Sequence, residues 1–175
     1  MYFANFPVIP YDSVGDYNFK IVTNLLKRVV VRSKVKANTS FYDTYDVKEG
    51  ETPEILADKL YGDPELHWVI LLFNDITDVY HQWPQNQNQF LACINDKYSN
   101  VDATHHYEIS QTSGDTTIKI DIGTDNTDYP TASIVTNYEY EEALQDEKRK
   151  IRLLDPAYVD RFVSEYEKLM AESML

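Results

Sequence analysis

The chain has 175 residues, 43% of them apolar, and a formal charge of −13 at pH 7. That balance excludes a disordered chain, gives room for a sizeable core, and argues against a protein that grips nucleic acid over its whole surface. No apolar run approaches the roughly 18 residues needed to span a bilayer, and a lone Cys93 leaves no disulfide framework.

The N-terminus, M-Y-F-A-N-F-P-V-I-P-Y-D, lacks the basic start and long apolar run of a signal peptide, so a soluble chain made in the cytoplasm is expected. Pro7 and Pro10 oppose a helix there. Residues 1–12 are predicted to be an extended aromatic arm, covering either its own domain or another subunit. Phe19 and Ile21, and then Val29, Val30 and Val31, read as strands, with a bend or bulge at Asn24-Leu25-Leu26. Between Tyr17 and Tyr42 lie six basic residues and no acid, so this stretch carries +6 and leaves −19 on the remainder. Such asymmetry fits either docking on an acidic surface or a strand with a solvated basic face. Fourteen tyrosines suit protein contacts as well as packing within strands.

Thr44 to Asp75 holds the densest local signals. Tyr45 and Val47 alternate with polar neighbours as in a half-buried strand, and Glu49-Gly50 marks a turn. Thr52-Pro53-Glu54 combines an N-cap hydroxyl, a first-turn proline and an acid. Leu56 and Leu60 share one helix face, and Gly62 is placed to end the helix. Asp63-Pro64-Glu65 repeats the start device; Leu66, Val69, Ile70 and Phe73 recur at helical spacing, with Asn74 as the stop.

Beyond Trp83-Pro84, Phe90, Leu91, Ile94 and Tyr98 predict a helix over roughly residues 86–98, with Cys93 a small core residue on or beside its apolar face. Residues 99–132 predict a β-hairpin turning at Ser113-Gly114-Asp115 and standing out from the core. Ile134 to Tyr140 alternates like a strand. Lys148 to Leu154 fits a strand or the end of a helix begun near Glu141. Asp155-Pro156 opens an amphipathic helix marked by Val159, Phe162, Val163, Tyr166, Leu169 and Met170. Four segments follow: an arm with strands over 1–43, a core with its following helix over 44–98, the hairpin over 99–132, and a strand with the terminal helix over 133–175.

No nucleophile elbow, P-loop, dinucleotide fingerprint or zinc-protease motif is present, so neither an enzyme nor a cofactor is expected. Neighbouring strand residues point to opposite faces, so His105 and His106 should not share a metal and read as solvated. Asp121, Asp125, Asn126 and Asp128 lack the glycine and closing glutamate of a calcium loop and read as a polar loop. His67 reads as the wet edge of an otherwise apolar helix.

The run Y-D-V-K-E-G-E-T-P-E-I-L-A-D-K-L-Y-G-D-P-E-L-H-W-V-I-L-L-F-N resembles a LysM module through Tyr45, Val47, Gly50, Glu51, Thr52, Ile55, Ala57, Tyr61, Gly62, Asp63, Ile70 and Asn74. Six further phrases in order (M-Y-F-A-N-F-P, the D-x4-W-P from Asp78 to Pro84, D-K-Y at Asp96–Tyr98, N-Y-E-Y-E, E-K-R-K-I-R and the terminal helix) resemble the LysM-like baseplate wedge proteins of T4-like contractile-tailed phages. The resemblance implies an α+β fold with a βααβ core near residues 44–76. It also implies a structural, non-enzymatic virion protein of the tail baseplate, made in the host cytoplasm. Its partners would be other wedge proteins, including those of neighbouring wedges, with no nucleic acid, membrane or small-molecule substrate. The partner-contacting candidates are Tyr2, Phe3, Phe6, Arg28, Arg32, Phe162 and Tyr166. The alternative reading is a LysM-type module binding N-acetylglucosamine polymers of peptidoglycan or chitin, docking at Gly50, Glu51, Thr52 and Ile76.

Overall fold

A computed structural model describes residues 2–111 and 117–172. After a 3-10 turn at Tyr2–Asn5 come β1 (Val8–Tyr11), β2 (Lys20–Thr23) and the single-turn α1 (Ser33–Lys36). There follow β3 (Tyr42–Asp46), α2 (Pro53–Tyr61), α3 (His67–Phe73), α4 (Val79–Gln82) and α5 (Gln87–Lys97). Three strands, β4 (Thr104–Ser110), β5 (Lys119–Gly123) and β6 (Ser133–Thr136), precede α6 (Asn137–Arg149), β7 (Lys150–Leu154) and α7 (Pro156–Glu172). The mixture of helix and strand is that of an α+β protein. Two compact units result: one runs to Gln82 and resumes at Ile151, and the other is Trp83–Lys150.

In the first unit the local rules hold. The Thr52 hydroxyl accepts from the Ile55 amide, Pro53 opens α2, and Gly62 closes it in the left-handed region at φ 72°. Asp63 caps a 3-10 turn at Pro64–Leu66 that leads directly into α3. Asn74 ends α3, and Asp75 takes φ 58°. The Ile76 amide then reaches back to the Leu71 carbonyl at 2.9 Å, the long bond of a Schellman motif. β3 pairs with β7, so a strand that follows the second unit in sequence lies beside the strand that precedes α2 and α3.

The Asn74 side chain fastens that distant strand. Its Oδ1 accepts from the Arg152 amide at 2.8 Å, while its Nδ2 donates to the Arg152 carbonyl at 2.7 Å and to the Ile70 carbonyl at 2.9 Å. Behind it lies the core of Phe6, Trp68, Val69, Phe73, Leu154, Val159, Tyr166 and Met170. Each large side chain buried this way contributes about 1.5–3 kcal/mol.

The arm is not extended throughout. Tyr2–Asn5 form a 3-10 turn, which the prolines permit because both lie downstream of it. Tyr2 stacks on Tyr166 at 5.4 Å and 15°, and the Tyr166 hydroxyl donates to the Tyr2 carbonyl at 2.6 Å. Phe6 is 4% exposed, so the arm covers its own unit. Val29–Val31 form no strand: Val29 and Val31 instead pack against the core from irregular backbone. The strand preference of branched side chains depends on their packing context, which the core supplies here.

In the second unit β4 is central, pairing antiparallel with β5 and with β6. The hairpin is therefore two-thirds of a three-stranded sheet; its turn at Ser113-Gly114-Asp115 lies outside the described residues. The strand expected over Ile134–Tyr140 stops at Thr136. There Thr136 and Glu139 form a capping box that starts α6, so Tyr138 and Tyr140 are helical. Asn86 and Gln89 start α5 in the same way. Only Phe90 and Ile94 are buried on α5; this stripe is too narrow to include Leu91 or Cys93, and both are exposed.

Candidate functional site

An open groove of about 730 Å³ runs along the first unit, walled by Tyr2, Phe3, Leu25, Leu26, Trp68 and Leu71. Each wall has a local cause. The 3-10 turn presents Phe3 outward at 55% exposure while turning Phe6 into the core. Trp68 is fixed between Tyr166 at 4.7 Å and Tyr2 at 5.3 Å. Leu25 and Leu26, in the turn after β2, are 64% and 91% exposed. Lys27 and Arg28 give the groove a basic rim, with Glu65 and His67 also on its lining. His67 is half-buried, and its Nδ1 lies 2.9 Å from the Pro64 carbonyl.

The partner-contacting candidates separate by burial. Phe6 and Tyr166, each 4% exposed, belong to the core, and Tyr2 is half-buried in the same stack. Phe3 and Arg28 line the groove. Arg32 is exposed and its carbonyl receives the Val35 and Lys36 amides at the start of α1. Phe162 lines a shallower hollow of about 330 Å³ beside Phe41 and Tyr158, whose rings meet edge-on at 5.1 Å. Leu25 and Leu26 were missed by the sequence reading, although an apolar pair beside a basic pair is visible there.

The residues of the glycan reading do not meet in this groove. Ile76 lines it, while Gly50, Glu51 and Thr52 do not. Glu51 already accepts from the Tyr45 hydroxyl at 2.8 Å, the Lys48 amide at 3.0 Å and Lys59 at 3.2 Å. Burial pushes its carboxyl pKa up, yet these donors together outweigh burial and hold it below the ordinary value. Its anion thus ties β3, the following turn and α2 together. Burial alone raises Tyr61 to about 12, and burial with Tyr2 and Glu167 nearby does the same for Tyr166.

His105 and His106 depart from expectation. A register shift between Thr104 and His106 distorts the alternation of faces, and their Nδ1 atoms come within 2.9 Å. His106 is buried rather than solvated, and His105 stacks on Tyr140 at 3.9 Å. Among the described residues no three His, Cys, Asp or Glu side chains are grouped to hold a metal, and no helix is long and apolar enough to cross a membrane.

A family model described as base plate wedge protein 53 matches residues 1–167. The chain is also 24% identical over 184 aligned positions to "Baseplate wedge protein gp53" of Enterobacteria phage T4, spanning 97% of this chain and 88% of that protein. With an aromatic groove and a basic rim already built on its first unit, the chain belongs to the base plate wedge protein 53 family, virion proteins of the bacteriophage tail baseplate.

Proposed function

We propose that this chain is a non-enzymatic subunit that links neighbouring wedge proteins, including those of adjacent wedges, during baseplate assembly. The family match across residues 1–167 carries this reading. The groove supports it: exposed Phe3 beside Arg28 is the aromatic and Arg mixture that protein interfaces favour, and exposed Leu25 and Leu26 extend its apolar area. The scaffold is a LysM-like core, in which β3, α2 and α3 are closed by β7 rather than by the segment directly after α3. In sequence, the second unit, Trp83–Lys150, falls between α3 and the paired part of β7.

The test is co-expression with the neighbouring wedge proteins of the same phage, followed by size-exclusion chromatography. A Leu25→Ser, Leu26→Ser, Arg28→Glu variant should fold normally and lose at least about tenfold in complex affinity, as loss of interface anchors does. An undiminished complex would remove the groove from the account. Saturable micromolar binding of the purified chain to peptidoglycan or chitin, without any wedge complex, would overturn the linking role itself.

A further inference from the structure

β1 and β2 form a two-stranded sheet without a third strand among the described residues, and the hydrogen-bond pattern decides which edge is open. The register pairs Val8 with Thr23, Ile9 with Val22, Pro10 with Ile21 and Tyr11 with Lys20. The Asn24 amide donates to the Pro7 carbonyl at 2.8 Å, which makes Pro7 and Asn24 a hydrogen-bonded pair. Such pairs alternate along an antiparallel ladder. Lys20 and Val22 therefore face β1, while Ile21 and Thr23 direct their backbone N–H and C=O groups away from it. By the same alternation Pro10 points its ring nitrogen outward on β1, where it offers no donor. The outer edge of β1 is blunted, whereas that of β2 is not. The Thr23 carbonyl receives the Leu25 amide at 3.0 Å, so both groups of Ile21 and the Thr23 N–H are left for a partner.

The surroundings indicate what that partner carries. Among the described residues, ten of the 21 exposed large apolar side chains fall between Val8 and Val30, a concentration that solvent alone does not favour. Ile21 is 71% exposed, beside exposed Val8 and Pro10 on the same face. Of the six cations between Tyr17 and Tyr42, Lys36 is ion-paired, with Asp75; Lys20, Lys27 and Arg28 make no ion pair among the described residues. The ribbon is also held in shape at its tip. The Asp12 carboxylate accepts from the Gly15, Tyr17 and Val14 amides at 2.7, 2.8 and 3.2 Å, fixing the β1–β2 connection before any partner arrives.

We propose that the open edge of β2 receives an extended segment of another baseplate protein as a third strand, one that alternates apolar with acidic residues. Main-chain hydrogen bonds to Ile21 and Thr23 would supply register, Ile21 and Val8 an apolar seat, and Lys20, Lys27 and Arg28 the charge match. The inference rests on the linking role proposed above, and the experiment separates the two.

Residue-resolved amide hydrogen exchange is measured on the isolated chain and on the chain within purified baseplate assemblies. Docking slows the Ile21 and Thr23 amides by about tenfold or more on assembly, as newly bonded amides are slowed; the Lys20 and Val22 amides, already facing β1, change much less. Unchanged Ile21 and Thr23 amides in assemblies that contain the chain would overturn the docking and leave the linking role standing. Absence of the chain from the assemblies would overturn both. Protection that appears in the isolated chain as its concentration rises would assign the edge to a second copy and also overturn the proposal. The Ile21→Pro variant gives an independent readout, because it blocks the outer edge without removing a β1–β2 bond. It should enter assemblies about tenfold less well at an unchanged melting temperature, and full incorporation would refute the docking.

Discussion

Replacing Asn74 by alanine tests how the distant strand β7 is held to the two-helix core. The side chain makes three bonds: to the Ile70 carbonyl at 2.9 Å, and to the Arg152 carbonyl and amide at 2.7 and 2.8 Å. A net value of about 1 kcal/mol for each bond sets an upper bound near 3 kcal/mol. The two bonds to Arg152 lie at the surface, where water replaces a lost partner, so the expected cost is about 2 kcal/mol. With a urea slope of about 2 kcal/mol per molar, typical of a unit this size, the midpoint falls by about 1 M. The change is read from tryptophan fluorescence in a urea titration, together with faster amide exchange at Ile151 and Leu153. Asn74→Asp should cost more than alanine, since it loses both donors and sets an anion against two carbonyls. A midpoint within about 0.2 M of the parent would refute this account of how β7 is fastened.

Four other outcomes follow from the same geometry. Glu51→Gln should flatten the acid limb of the stability curve. The Glu51 carboxyl sits below its ordinary value of 4.5 in the folded chain, so its contribution is present above that value and lost as pH falls through the folded pKa; an unchanged acid limb in thermal melts would count against it. In spectrophotometric titration Tyr61 and Tyr166 should ionise near 12, well above an ordinary tyrosine. Because their folded pKa values are raised, stability is intact below 10 and declines as pH rises toward 12. Tyr166→Phe removes the bond to the Tyr2 carbonyl and should cost about 1 kcal/mol, seen as a lower melting temperature. Phe6→Ala should cost about 3–5 kcal/mol as a core truncation, whereas Phe3→Ala should leave the melting temperature unchanged and weaken only complex formation.

What was legible in the sequence follows the range of each force. Thr52, Gly62 and Asp63 act through bonds to residues a few positions away and Pro53 through its fixed φ, and each does what its chemistry predicts; Asn74 ends α3 as its position predicts, but its bonds to Arg152 cross 78 residues and have no local mark. The strand that pairs with β3 is set by contacts across more than a hundred residues, and nothing local to Lys150–Leu154 announces that partner. Val29, Val30 and Val31 show the converse: strong strand propensity, yet irregular backbone from which Val29 and Val31 pack on the core. Thr136 to Glu139 carried a legible capping box, but the alternation from Ile134 to Tyr140 masked it. The bulge that brings His105 to His106 has no sequence mark. At the groove, Phe3 and Arg28 were visible as an aromatic and a basic feature. Phe6 was not distinguishable from Phe3, because only the turn at Tyr2–Asn5 sends one ring inward and the other out.

The linking role is tested most directly by electron cryomicroscopy of the assembled baseplate of the phage that encodes this chain. Density for the chain should bridge subunits of adjacent wedges, with the groove around Phe3, Leu25 and Leu26 covered by a neighbouring protein. A chain confined to a single wedge with that groove open to solvent, or missing from the particle, would contradict it.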